Sequence, residues 1–347
     1  MSTKLTIILF LKERKNFNRR FIDYFCENNL NFNLLISDGS KKKIDKDLLK
    51  KIKKNKFIKY FKFPEDKSYF IYYQKIYKTL KLVKTKYVFF ASNDDFIIYK
   101  ILKKCVDFLT SQNKYIGCGG TMIGFEILKK NNLDFKLSNF HNIYKNNKLD
   151  HVNSFDRFNH FLKNYCDHPK NCVMEKKIFL DTYKHSSNLF QNNIEFKDHF
   201  SCLHNVISGR IKDIRKPLIL HQTHLNSEGN FRSDILKSTF INSEFINNLI
   251  IFDKILSSKL KIPKNVVMNK YYSYVLKGLI NTLDLKKEPS FEEIKNFFIK
   301  KLKRRFLNKK SSKTIYFNFN VLDNDTKKTI FKIEKNLINM NTKNFND

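Results

Sequence analysis

The stretch Tyr87-Val88-Phe89-Phe90-Ala91-Ser92-Asn93-Asp94-Asp95-Phe96 constrains this chain more than any other. A short, fully apolar run leads directly into two adjacent carboxylates. Its length and its aromatic and β-branched content specify a buried strand rather than a helix. A strand of that kind sits inside a parallel sheet with both faces covered. In open α/β sheets the ligand lies outside the carboxyl ends of the strands, where Asp94 and Asp95 fall. Paired carboxylates there suit a divalent cation, which takes oxygen ligands and can hold a diphosphate beside them. The competing reading is local: Asn93 or Asp94 could cap the helix that follows.

The flanking sequence repeats this strand–helix alternation. Strands are expected over residues 5–11, 32–36, 57–63 and 87–91, and helices over 16–28, 45–54, 69–83 and 97–111. The interval is that of βαβ units and predicts a mostly parallel sheet. Residues 115–127 read as extended, with glycines at 117, 119, 120 and 124. They permit close backbone approach to a ligand, a bulge, or a bent edge strand. Residues 129–150 read as a long polar connection. A helix is expected over 155–165, a strand over 171–175 and a helix over 177–184. The helix from Ile194 to Ser208 carries Glu195, Asp198 and His199 on one face. A last strand, 217–220, runs straight into His221-Gln222-Thr223-His224. Beyond about residue 226 helical stripes dominate. The chain is therefore expected to divide into an α/β domain over 1–225 and an all-helical C-terminal appendage over 226–347.

A net charge of +34 first suggests a nucleic-acid partner. Yet only nine of the 67 Lys and Arg residues are Arg, the side chain suited to bidentate phosphate and base recognition. With many Asn, Ile and Phe, no Trp and only 8 Gly, the composition reads as an A/T-rich codon bias. The residual charge still favours anionic surroundings. The six cysteines form no C-x-x-C pair and read as free thiols in a reducing compartment. The spacing of Cys166, His168 and Cys172 matches no standard zinc set. Leu5–Leu11 is too short for a signal h-region, and no apolar run reaches the ~18 residues of a membrane span. A cytoplasmic location is expected.

Lys84-Thr85-Lys86-Tyr87-Val88 followed by Asn93-Asp94-Asp95-Phe96 resembles the nucleotide-sugar glycosyltransferases of the GT-A fold, family 2 type. It is most similar to a bacterial subgroup with a K-T-x-Y-V strand and a D-D-D-F motif. The Thr6-Ile7-Ile8 strand with Arg14 beyond it, and the Ser37-Asp38-Gly39-Ser40 turn, fit the same order of parts. The likeness covers about the first 225 residues. It implies a Rossmann-like GT-A catalytic domain. The implied reaction is inverting, metal-assisted sugar transfer from a nucleotide-sugar donor to a saccharide or lipid-linked acceptor, in cell-surface polysaccharide or glycoconjugate synthesis.

The resemblance also implies roles. Asp38 contacts the base or ribose; Asn93 and Asp94 hold the diphosphate side; Asp95 is the direct ligand of Mn²⁺ or Mg²⁺. Where the subgroup has its leading Asp, this chain has Asn93, which keeps an oxygen but loses a charge. His221, and with less weight His224, completes the metal or phosphate site. Arg14 and Lys75 contact phosphate. A hydroxyl acceptor needs a general base: Glu195 is the first choice, near a helix N-terminus that favours an ionised carboxylate, and Asp198 the second. The rival classes are a basic nucleic-acid-binding protein and a nucleotidyltransferase or phosphotransferase using the same carboxylates. No P-loop or kinase signature is present, and no nucleic-acid partner is expected.

One further feature lies in the C-terminal region. Ser290-Phe291-Glu292-Glu293 is a capping box. It opens a basic amphipathic helix over 291–306, suited to an anionic membrane surface and hence to peripheral attachment at the inner face. The alternative is that its apolar stripe packs on the catalytic domain.

Overall fold

A computed structural model describes residues 4–28, 31–131, 134–144, 148–166, 168–189, 194–223, 244–283, 316–317, 319 and 322–339. The basic helix expected over 291–306 and His224 lie outside these residues, as does the side chain of Glu195.

The first half of the chain folds as the alternation predicts: β1 (Leu5–Leu11), α1 (Lys15–Asn28), β2 (Asn33–Asp38), α2 (Lys46–Lys54), β3 (Ile58–Lys62), α3 (Tyr69–Leu82) and β4 (Tyr87–Ala91). β1 lies between β2 and β4, β3 flanks β2, and all four run parallel. Ile7, Ile8 and Leu9 of β1 and Val88 and Phe89 of β4 are completely buried, as a strand covered on both faces requires. Helices dock by their apolar stripes: Phe17, Phe21, Tyr24 and Phe25 of α1 are buried, while Ser68 caps α3 by accepting the N–H of Ile71 at 3.3 Å.

The second half departs from the expected outline. Asp95–Ile97 forms a short strand, β5, and α4 begins only at Tyr99 (Tyr99–Ser111). Its N-cap residue is Ile98, with no side-chain capping bond, so neither Asn93 nor Asp94 caps a helix. The polar connection expected over 129–150 is instead the return arm of a long hairpin. β6 (Tyr115–Asn131) pairs antiparallel with β7 (Asp134–Tyr144). β6 is no edge strand either. It also pairs with β8 (Val173–Glu175) and runs parallel to β9 (Arg210–Gln222). Its glycines admit the protein's own atoms rather than a ligand. A Cβ at Gly119 would meet Cys172 Sγ at 2.4 Å, and one at Gly120 would meet the Lys216 carbonyl oxygen at 2.2 Å. Between β7 and β9 lie α5 (Ser154–Lys163), β8, α6 (Lys176–Leu189) and α7 (Ile194–Ser208). The resulting mixed α/β architecture, a parallel half continued by a hairpin-rich half with flanking helices, agrees with the expected fold class.

The chain forms two compact units, Met1–Arg232 with Tyr316–Asp347, and Ser233–Ile315. The all-helical appendage expected from residue 226 onward is thus interrupted. β10 (Tyr316–Phe317) pairs with β7, and α10 (Asn324–Asn339) returns to the first unit through Asp325, 2.8 Å from Lys100, and Glu334, which accepts the Leu137 N–H at 2.9 Å. The second unit contains α8 (Glu244–Leu260) and α9 (Val266–Leu283). Phe252 packs on Tyr271 at 4.6 Å, and the Asp253 carboxylate accepts the N–H groups of Asn265 and Met268 at the start of α9.

Among the described residues all six cysteines are free thiols. Cys172 lies 3.6 Å from His168 Nε2, but the two do not join Cys166 in a metal-holding set. No helix among the described residues is long and apolar enough to cross a membrane.

Candidate active site

Where β1 ends the backbone takes an uncommon course. Glu13 and Arg14 have φ values of 52° and 56°, a left-handed conformation that costs a non-glycine residue about 1 kcal/mol or more. The surroundings hold it. Asn18 Nδ2 donates to the Glu13 carbonyl at 2.6 Å, the Glu13 N–H donates to Ser40 Oγ at 2.8 Å, and the Glu13 carboxylate accepts the Lys41 N–H at 2.7 Å. The consequence is the aim of Arg14, whose Nη1 lies 3.1 Å from Asp94 Oδ2.

Asp94 and Asp95 follow β4 in a tight turn, closed by the Asp95 N–H on the Ser92 carbonyl at 3.3 Å. Asp95 then opens β5, which pairs antiparallel with β9 so that Asp95 faces His221. The two side chains meet at 2.6 Å, Oδ1 to Nδ1. Burial drives the Asp95 carboxyl above the ordinary carboxylate range. Burial acts against charge on His221 as well, but Asp95 outweighs it and raises the imidazole above its usual value. Asn93 is used differently. Its amide donates to Asn18 Oδ1 at 2.6 Å, tying the motif to α1.

Ligand atoms of Asp94, Asp95 and His221 all lie within 4.8 Å of one another. Two carboxylates and an imidazole fit Mn²⁺, and the carboxylates alone fit Mg²⁺. Behind them sits a group the sequence reading passed over. Arg20 is 3 % exposed, its guanidinium packed over the rings of Phe17 and Phe96, and it donates to Gln222. Burial lowers its pKa to about 10 against the pull of Asp94 and Asp95, so at neutral pH it is a fixed cation under the acidic pair. A signal was present: Arg20 falls on the apolar stripe of α1 between Phe17 and Phe21.

These groups open into a cleft of about 1090 Å³, at the large end of ligand pockets. Its aromatic side includes Phe10, Phe90, Tyr72 and Tyr183, and Lys12 and Arg14 line it beside the acidic motif. Phe90 stacks on Phe179 of α6 at 4.5 Å. Asp198 of α7 also lines the cleft. Its Oδ1 accepts the Tyr73 hydroxyl at 2.5 Å and its Oδ2 lies 2.8 Å from Lys170 Nζ. Tyr73 and Lys170 carry no motif; only packing identifies them. The neighbouring Lys197 is fully buried against the rings of Phe70 and Tyr73, without a hydrogen-bond partner among the described residues. Burial lowers its pKa to about 8.

The structure thus brings together Arg14, Asn93, Asp94, Asp95, Asp198 and His221 around one cleft. It separates two other expected residues from it. Lys75 is buried, bonded to the Asp66 carboxylate and, at 3.2 Å, to the Leu11 carbonyl; Asp66, not Lys75, lines the cleft. Asp38 is 1 % exposed. Its carboxylate is engaged by the Tyr60 hydroxyl at 2.5 Å and the Ser40 N–H at 2.8 Å. It does not line the cleft.

No protein-family model and no curated protein matches the sequence. Among solved structures, the chain is similar to residues 1–349 of TarS from S. aureus in complex with UDP-GlcNAc. The TM-score is 0.50 at 11% identity, covering 92% of this chain and 100% of that one. The same TarS fragment in other crystals gives TM-scores of 0.49, at 11% identity over 92% of this chain and 100% of that one, and, in complex with UDP, 0.48, at 12% identity over 97% and 88%. The likeness to the UDP-GlcNAc complex establishes a shared fold.

Proposed function

We propose that this chain is a nucleotide-sugar-dependent glycosyltransferase that inverts the transferred sugar with the help of a divalent cation. The observation that carries the reading is the convergence of Asp94, Asp95 and His221 at the carboxyl end of β4, in a cleft that also presents Asp198. The acidic residues and His221 are suited to Mn²⁺ or Mg²⁺, which when bound neutralises the charge growing on a diphosphate leaving group. Arg14 and Lys12 supply fixed positive charge on the same side. Asp198 takes the proton of the acceptor hydroxyl as that oxygen attacks the anomeric carbon from the face opposite the diphosphate. Tyr73 and Lys170 hold its carboxylate in one orientation. Glu195, one turn earlier on α7, is the other carboxylate suited to this role.

The solved neighbour's complex with UDP-GlcNAc makes uridine-diphosphate sugars the first donors to test. We propose a saccharide or lipid-linked hydroxyl as acceptor, in surface polysaccharide or glycoconjugate synthesis. The basic helix expected over 291–306 would hold the enzyme at an anionic membrane surface. A nucleotidyltransferase could use the same carboxylates, but the second carboxylate site at Asp198 favours deprotonation of a hydroxyl acceptor. The test is a thermal-shift screen of UDP-, GDP-, CMP- and dTDP-sugars with and without Mn²⁺ or Mg²⁺. Selective, metal-dependent stabilisation by one donor class is expected from ligand linkage. Equal indifference to every donor would overturn the reading.

A further inference from the structure

A second group of ligating side chains lies away from the acidic motif, where α6 packs on α7. Asp181 and His185 stand one turn apart on α6 and share a face. His204 of α7 meets them. His185 Nε2 is 3.7 Å from Asp181 Oδ1, and His204 Nε2 is 3.4 Å from Asp181 Oδ2. Ligand atoms of all three lie within 4.8 Å of one another. The His204 side chain is 1% exposed, whereas those of Asp181 and His185 are 46% and 35% exposed. The group therefore has a fixed, buried base and an open, wet side.

The neighbouring hydrogen bonds decide which nitrogen of His204 can ligate. Thr182 donates its hydroxyl proton to Asn205 Oδ1 at 2.8 Å. Its oxygen is then the acceptor toward His204 Nδ1, 2.7 Å away. With the Asn205 amide in this orientation Nδ1 carries the proton, which leaves Nε2 toward the Asp181 carboxylate. The 3.4 Å between Nε2 and the Asp181 carboxylate is a contact that a proton on Nε2, or a metal cation in its place, can bridge. An outer hydrogen bond that sets the tautomer of a ligating histidine is the usual companion of a bound metal.

We propose that Asp181, His185 and His204 bind a transition-metal dication, zinc by its donor set, that fastens α6 to α7. Two imidazole nitrogens and one carboxylate oxygen suit zinc better than Mg²⁺ or Ca²⁺. Ligand bonds of about 2.0–2.2 Å in a tetrahedron place donor atoms about 3.4 Å apart, so donor atoms that lie within 4.8 Å of one another need only a small closing movement. Three protein ligands leave the fourth position to water on the open side. Because α6 brings Tyr183 and α7 brings Asp198 to the cleft, the metal would brace one wall of it. This site is separate in position and chemistry from the one formed by Asp94, Asp95 and His221, and it does not depend on the function proposed for that cleft.

The experiment uses the full-length chain carrying Asp95→Ala, so that zinc in the cleft does not confuse the count. After chelator treatment, zinc is titrated against a chromophoric competitor, and Co²⁺ is substituted for optical detection. One tight equivalent of zinc, a raised melting temperature with added zinc, and the visible bands of tetrahedral Co²⁺ are expected. Adding His185→Ala or Asp181→Asn, both at part-exposed positions, is expected to weaken zinc binding by at least 100-fold and to abolish the Co²⁺ bands. The melting temperature of each metal-free variant reports whether the fold survives, and either variant alone suffices. Absence of a tight equivalent in the Asp95→Ala protein, or full zinc binding in a folded His185→Ala or Asp181→Asn variant, overturns the proposal.

Discussion

Asp95 Oδ1 and His221 Nδ1, 126 positions apart in sequence, lie 2.6 Å from each other because β5 pairs antiparallel with β9. The acidic motif is therefore completed by a strand pairing rather than by its own loop. Burial favours a proton on Asp95, and Asp95 in turn raises the affinity of His221 for one. A cation bound between them would displace that proton, so donor binding should be metal-dependent and weaken as the pH falls.

Replacing Asp95 by Ala is expected to lower transfer by about 10³-fold or more, since a Lewis acid contributes several kcal/mol to leaving-group departure. His221→Ala should weaken metal-dependent donor binding in the same direction. Calorimetric titration of the donor with and without Mn²⁺ checks both. Wild-type turnover in Asp95→Ala at saturating metal would remove the acidic motif from the site.

On the opposite side of the cleft, Asp198→Asn should lose about 10²–10⁴-fold in rate while the donor still binds. Tyr73→Phe, which removes the 2.5 Å hydrogen bond to Asp198, should lose less. Measuring kcat and the donor dissociation constant separately distinguishes a base from a binding residue. If Glu195→Gln shows the large loss and Asp198→Asn does not, the base lies one turn earlier on α7.

Gly39 illustrates a backbone constraint under the cleft. A Cβ there would stand 2.3 Å from the Asp66 carboxylate, which is itself pinned by the buried ammonium of Lys75. Gly39→Ala should destabilise the protein by about 1–3 kcal/mol through overpacking and disturbance of that pair. Chemical denaturation gives the number, and an unchanged midpoint would mean that Asp66 can move freely.

Lys197 predicts a pH dependence of stability. Its folded pKa, about 8, lies below the ordinary lysine value of 10.5. Below pH 8 both states carry the charge, and the folded state bears the full cost of burying it. Between about pH 8 and 10.5 the unfolded chain holds more protons, so stability contributed at this site rises with pH. Lys197→Met should raise the melting temperature at pH 7 and flatten that rise. Thermal melts of both proteins at pH 7 and pH 9.5 test it.

What the sequence determined by itself is the parallel half of the sheet and the location of its acid pair. β1 and β4 are apolar almost throughout, β2 and the weaker β3 carry apolar centres, and each connecting helix carries its own stripe, so both signals are local. The run Tyr87–Ala91 needed no partner to be read as a buried strand, and the carboxylates follow it directly. Tertiary structure decided the rest. The polar segment around β7 is a strand only because β6 supplies its hydrogen-bond partners. Asp95–Ile97 is three residues long and exists as β5 only beside β9. Lys75 looked like a phosphate ligand until Asp66 claimed it. Tyr73, Lys170 and Asp198 meet through packing, and His204 reaches Asp181 and His185 only because two helices lie together. Hydrophobic periodicity is written along the chain; the pairing of polar groups across distant elements is fixed by three-dimensional packing, where burial makes a partner worth most.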